Sequence, residues 1–138
     1  MQKNTQEYII HDEKGLYDIV FPLIAGDRIF FSGDLGAGKS TYIRHILRKY
    51  LDDTTLVVRS PTYIYYQKYG TNIYHCDLYR IEDYSTWVSI GGEEIAQDPQ
   101  SIMLIEWPEI LGEGVKPTKK ICIKAMEDGR RKIIIAKL

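Results

Sequence analysis

The chain has 138 residues, with 18 Lys and Arg against 19 Asp and Glu, a net charge of −1, and 44% hydrophobic residues. That length suits one sizeable core, read as one domain over residues 1–138, and leaves little room for a separate substrate-binding module. The balanced charge excludes a broad basic face for nucleic acid, and no apolar stretch approaches the roughly eighteen residues that span a bilayer.

The opening Met1-Gln2-Lys3-Asn4-Thr5-Gln6 lacks the charged-then-apolar character of a secretory leader, so the cytoplasm is the expected compartment and no membrane is involved. Residues 7–10 read as a short strand. Leu16, Val20, Leu23 and Ile24 recur at helical spacing, which predicts a helix broken at Ala25-Gly26-Asp27. Ile29-Phe30-Phe31 is a β-rich run that ends directly at Gly33. Ile43, Ile46, Leu47 and Tyr50 then mark the buried face of a helix closed by Asp52-Asp53.

Residues 56–58, 63–69 and 73–76 are β-branched or aromatic runs, punctuated by Ser60-Pro61 and Gly70-Thr71-Asn72, and read as sheet. Residues 82–98 hold one or two short helices interrupted at Gly91-Gly92. Ile102-Met103-Leu104-Ile105 is a buried strand stopped at Glu106-Trp107-Pro108, because proline cannot continue a ladder. Residues 120–124 and 132–137 flank Asp128-Gly129, a strong hairpin signal. The architecture is α/β, with a strand-loop-helix unit near the front and an antiparallel hairpin at the end. Cys76 and Cys122 lie far apart in apolar runs and read as reduced core thiols. The basic clusters Lys119-Lys120 and Arg130-Arg131-Lys132 read as solvated sheet edges and turns.

One motif carries chemistry. Gly33-Asp34-Leu35-Gly36-Ala37-Gly38-Lys39-Ser40 satisfies G-x-x-x-x-G-K-[ST], between an independently read strand and helix. Its backbone N–H groups must converge on a phosphate, and side chains at the glycines would block that approach. The helix start adds partial positive charge. Lys39 is placed for the β- and γ-phosphates, and the Ser40 hydroxyl for magnesium.

Asp77 and Glu106 end apolar runs, as Gly33 does, so all three can converge beyond the carboxyl ends of the strands. Glu106 is assigned to the magnesium shell and Asp77 to the attacking water, with the roles exchangeable. A plain turn cap is the alternative for each. His75 shares a strand face with Asp77 while Cys76 points away, which makes His75-Cys76-Asp77 a poor metal triad and favours a packed sheet histidine. Arg80 suits a phosphate contact or a structural ion pair. Thr62 suits a γ-phosphate-sensing loop or an ordinary turn. The tyrosines of residues 63–84 fit sheet packing better than base stacking.

Together these pieces resemble the TsaE family, the ATPase component of the bacterial machinery that forms threonylcarbamoyladenosine beside the tRNA anticodon. The phosphate motif with Thr41, Ser60-Pro61-Thr62-Tyr63, His75-Cys76-Asp77-Leu78-Tyr79-Arg80 and Ile105-Glu106-Trp107-Pro108-Glu109 carry the match, over about residues 5–110. The last two blocks are the specific ones. The resemblance implies a P-loop NTPase-like three-layer sandwich with a mixed sheet. It implies that residues 33–41, Thr62 and Trp107 serve ATP, that Ser40 and Glu106 hold Mg2+, and that Lys39, Asp77 and Glu106 are catalytic. It also implies TsaB and TsaD partners, with TsaD carrying the transfer chemistry and tRNA reached only through the complex. Ser40 stands for the commoner threonine and Tyr63 for a frequent phenylalanine. The C-terminal hairpin matches loosely, and no functional residue is carried onto it. A small-molecule kinase or a nucleotide-dependent binding switch are the alternatives. The first lacks an Arg-rich lid after Asp77, and no Asn-Lys-x-Asp favours guanine.

Overall fold

A computed structural model describes residues 4–34, 36–59 and 65–138. In chain order its strands are β1 (Asn4–Ile10), β2 (Arg28–Ser32), β3 (Tyr66–Tyr69), β4 (Ile73–Asp77), β5 (Ile102–Glu106), β6 (Lys119–Ala125) and β7 (Arg131–Lys137). The helices are α1 (Lys39–Tyr50), α2 (Tyr84–Ser89) and α3 (Gly92–Gln97). Among the described residues the strands form one sheet in the order β1-β7-β6-β2-β5-β4-β3. Its centre, β6-β2-β5-β4, is parallel, and antiparallel pairs close both sides.

Alternation along the strands divides the core into two layers. Ile29, Phe31, Ile73, Leu104 and Ile121 face α1, where Tyr42, Ile43 and Leu47 complete one cluster. Phe30, Cys76, Met103 and Ile105 face the other way, against Trp87 of α2 and Ile95 of α3. The sheet therefore lies between helical layers, which is the three-layer α/β arrangement expected. β5 is buried at every position, as a central parallel strand must be.

Several expectations need correction. The helix over residues 16–24 is a 3₁₀ turn, Glu13–Asp18, followed by irregular chain. Pro22 lacks an N–H and its ring clashes with the preceding turn, so only Leu16 and Leu23 of that stripe are buried, while Val20 and Ile24 are exposed. Residues 56–58 form no strand. The Leu56 N–H donates to the Asp53 carbonyl and its own carbonyl accepts from Arg48 Nε, so the backbone is satisfied locally while Leu56 and Val58 pack on the core. On α1 the buried face runs through Tyr42 and His45 instead of Tyr50, which is exposed. Of the stretch 63–69, Tyr66–Tyr69 is strand and residues 63 and 64 lie outside the described residues.

Lys119 also departs from its expectation. It is no solvated edge: β6 pairs on both sides, and the ammonium is buried on the Asp27 carboxylate, at 2.9 Å from Oδ2 and 3.0 Å from Oδ1. Asp27 also accepts from the Thr118 hydroxyl and the Ile24 N–H. Beside it the buried Arg28 guanidinium donates to the carbonyls of Asp27, Ala96, Asp98 and Ser101, tying the end of α3 to the start of β2. Cys76 is fully buried, and burial pushes its thiol far up; Cys122 is half-buried, and both are free.

Removing one partner of a buried ion pair leaves the other charge unpaired. Asp27→Ala is expected to lower stability by about 3 kcal/mol, read as a lower urea midpoint at unchanged slope. The double substitution Asp27→Leu with Lys119→Met, which removes both charges and keeps the volume apolar, is expected to recover most of that loss.

Candidate functional site

The loop after β2 is shaped by what surrounds it. Gly33 has φ 143, and a Cβ there would collide with the backbone carbonyl of Ile123 in β6, so only glycine lets strand and loop pass this closely. Gly38, with φ 109, is the N-cap of α1, and no side chain caps that helix end. The start of a twelve-residue helix therefore borders the cleft with no side-chain cap, its dipole directed there.

The cleft measures about 430 Å³ and is bounded by residues 36–41 and by Asp77, Glu106 and Trp107. Parallel register brings the acids there: Asp77 is the Cα partner of Glu106, and Glu106 of Phe31, so three strands end together. Gly36, Ala37, Gly38, Lys39, Ser40 and Thr41 thus meet Asp77, Glu106 and Trp107 as the sequence expects. Asp34 is exposed and spends its carbonyl on the Ala37 N–H. Leu35 and Thr62 lie outside the described residues.

Lys39 is buried, donating to the Gly33 carbonyl, with its ammonium 3.8 Å from the centre of the Trp107 ring. Trp107 itself has φ 56, an unusual conformation for a bulky residue, and it is held at the turn between β5 and Pro108–Leu111. Tyr79 supports the ring, with centroids 5.0 Å apart.

Glu106 is almost fully buried. Its Oε1 accepts from the Ser40 hydroxyl across 3.4 Å, and its Oε2 accepts from His75 Nε2 at 2.7 Å. A hydroxyl and a carboxylate oxygen facing one another are donors suited to a hard cation such as magnesium, which keeps several waters and takes phosphate oxygens for the rest. Among the described residues no cluster of three or more His, Cys, Asp and Glu side chains is arranged to hold a metal by itself.

Two contributors escaped the sequence reading. Arg131, at the start of β7, lines the cleft with its stem beside Gly38, and its Nε is buried with no partner among the described residues. The signal was present: Arg131 shares the two-residue period with buried Ile133 and Ile135, which put it on the α1 face. Glu13 also lines the cleft, engaged by His45 Nε2 at 2.8 Å and Arg44 at 2.7 Å. The His45 hydrogen bond, then Arg44, holds its carboxyl below the usual value. A second cleft of about 250 Å³, between residues 16–23 and α1, is mainly apolar and offers no comparable set of phosphate ligands.

A loop of backbone donors, two cations and, beside Glu13 held by His45 and Arg44, the two strand-end carboxylates Asp77 and Glu106 share one cleft, which suits a polyphosphate carried with a divalent cation. Anion alone would meet Asp77 and Glu106; cation alone would meet Lys39 and Arg131.

Comparison with known proteins identifies the family and the fold. The family model described as "Threonylcarbamoyl adenosine biosynthesis protein TsaE" matches residues 10–133, further than the sequence reading carried it and into β7. The protein named tRNA threonylcarbamoyladenosine biosynthesis protein TsaE from Rickettsia bellii is 34% identical over 107 residues, covering 75% of this chain and 72% of the relative. Its namesake from Borreliella burgdorferi is 36% identical over 113 residues, covering 80% and 78%. The crystal structure of Bacillus subtilis YdiB superposes with a TM-score of 0.70 over 99% of this chain and 88% of that one, at 22% identity.

Gly33→Ala forces a side chain against the Ile123 carbonyl at a backbone angle that disfavours it. It is expected to cost about 2 kcal/mol or more, measured by urea unfolding.

Proposed function

The chain belongs to the TsaE family of tRNA threonylcarbamoyladenosine biosynthesis, and from that membership we propose that it is the ATP-hydrolysing component of the machinery. It acts in the cytoplasm on a complex of TsaB and TsaD family proteins, reaches tRNA only through them, and leaves the transfer step to TsaD. The observation that carries the reading is the meeting of the phosphate loop with Asp77 and Glu106 at the ends of adjacent parallel strands.

ATP enters with its phosphates on the N–H groups of residues 36–41, and Lys39 leaves the Gly33 carbonyl and the Trp107 face for the β- and γ-phosphates. Ser40 and Glu106 hold the magnesium, which when bound neutralises charge on the phosphate oxygens. The contact between Ser40 and Glu106 supports that assignment over its exchange with Asp77, whose side chain is left to orient the attacking water. The Asp77 Oδ1 accepts the Tyr79 N–H at 3.1 Å, which fixes the carboxylate at the strand end. Arg131 answers charge on the nucleotide through a guanidinium whose Nε has no partner among the described residues.

Purified chain is expected to hydrolyse ATP slowly alone and faster with the partner pair, and to sustain repeated rounds of tRNA modification only when present. Lys39→Ala is expected to reduce turnover about a hundredfold or more, by analogy with deleting one charge-stabilising donor. Unchanged multi-turnover modification without this chain, or phosphate transfer to a small acceptor, would overturn the reading. Arg131→Ala is expected to weaken ATP binding about tenfold with an unchanged urea midpoint, checked by isothermal titration with a non-hydrolysable analogue.

A further inference from the structure

We propose that His75 is a positioning residue for the metal site: its Nε2–H pins Glu106 Oε2 and thereby presents Oε1 to the cation beside the Ser40 hydroxyl. The inference rests on the reading that Glu106 holds magnesium, and it goes beyond that reading by assigning the affinity for the metal partly to a residue that never touches it.

The geometry makes His75 more than core filling. The imidazole is fully buried, and its 2.7 Å bond to Glu106 is a short, charge-assisted one. An ionised carboxylate only accepts, so the bond requires the proton on Nε2. Nδ1 is buried without a partner among the described residues. The contact to the carboxylate is made through Nε2, so the ring reaches the site by way of Glu106.

Glu106 needs such a donor. A glutamate's terminal torsion is broad, so burial on a strand fixes where the carboxylate stands but not how its plane is turned. Holding one oxygen fixes the plane, and the free oxygen then faces Ser40. Parallel register supplies the reach. His75 is paired with Leu104, two positions before Glu106 on the same face of the neighbouring strand, so the ring extends along the sheet to the carboxylate. Cys76, on the opposite face, packs with Met103 and Ile105 and takes no part.

The partner of a metal-ligating group commonly changes metal affinity ten- to a hundredfold when removed. We would titrate Mn2+ by electron paramagnetic resonance into the full chain saturated with a non-hydrolysable ATP analogue, and measure analogue binding separately in EDTA. His75→Leu is expected to weaken Mn2+ binding about tenfold and to leave metal-free analogue binding unchanged. His75→Gln, whose amide N–H reaches the place of Nε2, is expected to restore it, whereas His75→Asn, whose amide stops near Nδ1, is not. If His75→Leu fails to fold, the Gln and Asn variants decide the matter by themselves. Glu106→Gln separates the two readings. If it leaves Mn2+ binding unchanged, the assignment of Glu106 to the metal fails. If it weakens binding while every folded His75 variant behaves as wild type, that assignment stands and the positioning role is overturned.

Discussion

Parallel pairing of β2 with β5, and of β5 with β4, is the constraint on which the molecule depends. Phe31 opposite Glu106 and Asp77 opposite Glu106 make three strands stop at one level. A parallel sheet has all its carboxyl ends on one edge, so the loop after β2 and the acids ending β4 and β5 have no choice but to share a cleft. Slip β4 by one residue against β5, and Asp77 turns to the face opposite Glu106.

The two edges of that sheet treat buried polarity differently. At the amino ends, Asp27 receives Lys119, Thr118 and a backbone N–H, and Arg28 finds backbone carbonyls for its guanidinium. Charges taken out of water there are paired several times over, as a structural site demands. At the carboxyl ends, Glu106 has one short bond and one long one, and Arg131 Nε has no partner among the described residues. That edge keeps hydrogen-bonding capacity in reserve for a ligand, whereas the edge opposite spends its capacity on partners within the chain.

β6 joins the two edges. It pairs with β2 on one side and β7 on the other, begins at the Asp27–Lys119 pair, and passes the Ile123 carbonyl across Gly33. The returning strand β7 then sets Arg131 against Gly38. The hairpin that the sequence presents as a terminal appendage is thus one wall of the cleft. Trp107, held at positive φ between β5 and a proline, forms another wall and meets Lys39 by its aromatic face.

Much was legible in the residues alone. The phosphate loop is local: its glycines, Lys39 and Ser40 are contiguous, and a strand and helix of opposite periodicity flank it, so the residue order states the geometry. Asp77 and Glu106 were legible as strand ends, because apolar runs stop at them. The helix over residues 16–24 was misread because Pro22 overrides the spacing of its apolar neighbours, and residues 56–58 because side-chain chemistry cannot say whether a strand partner exists. What only the tertiary structure decided is pairing across the sheet: Lys119 with Asp27, His75 with Glu106, Arg131 with the loop at Gly38. Each joins residues far apart in the chain, and the strand order that joins them is an outcome of burying two sheet faces at once, which no single segment encodes.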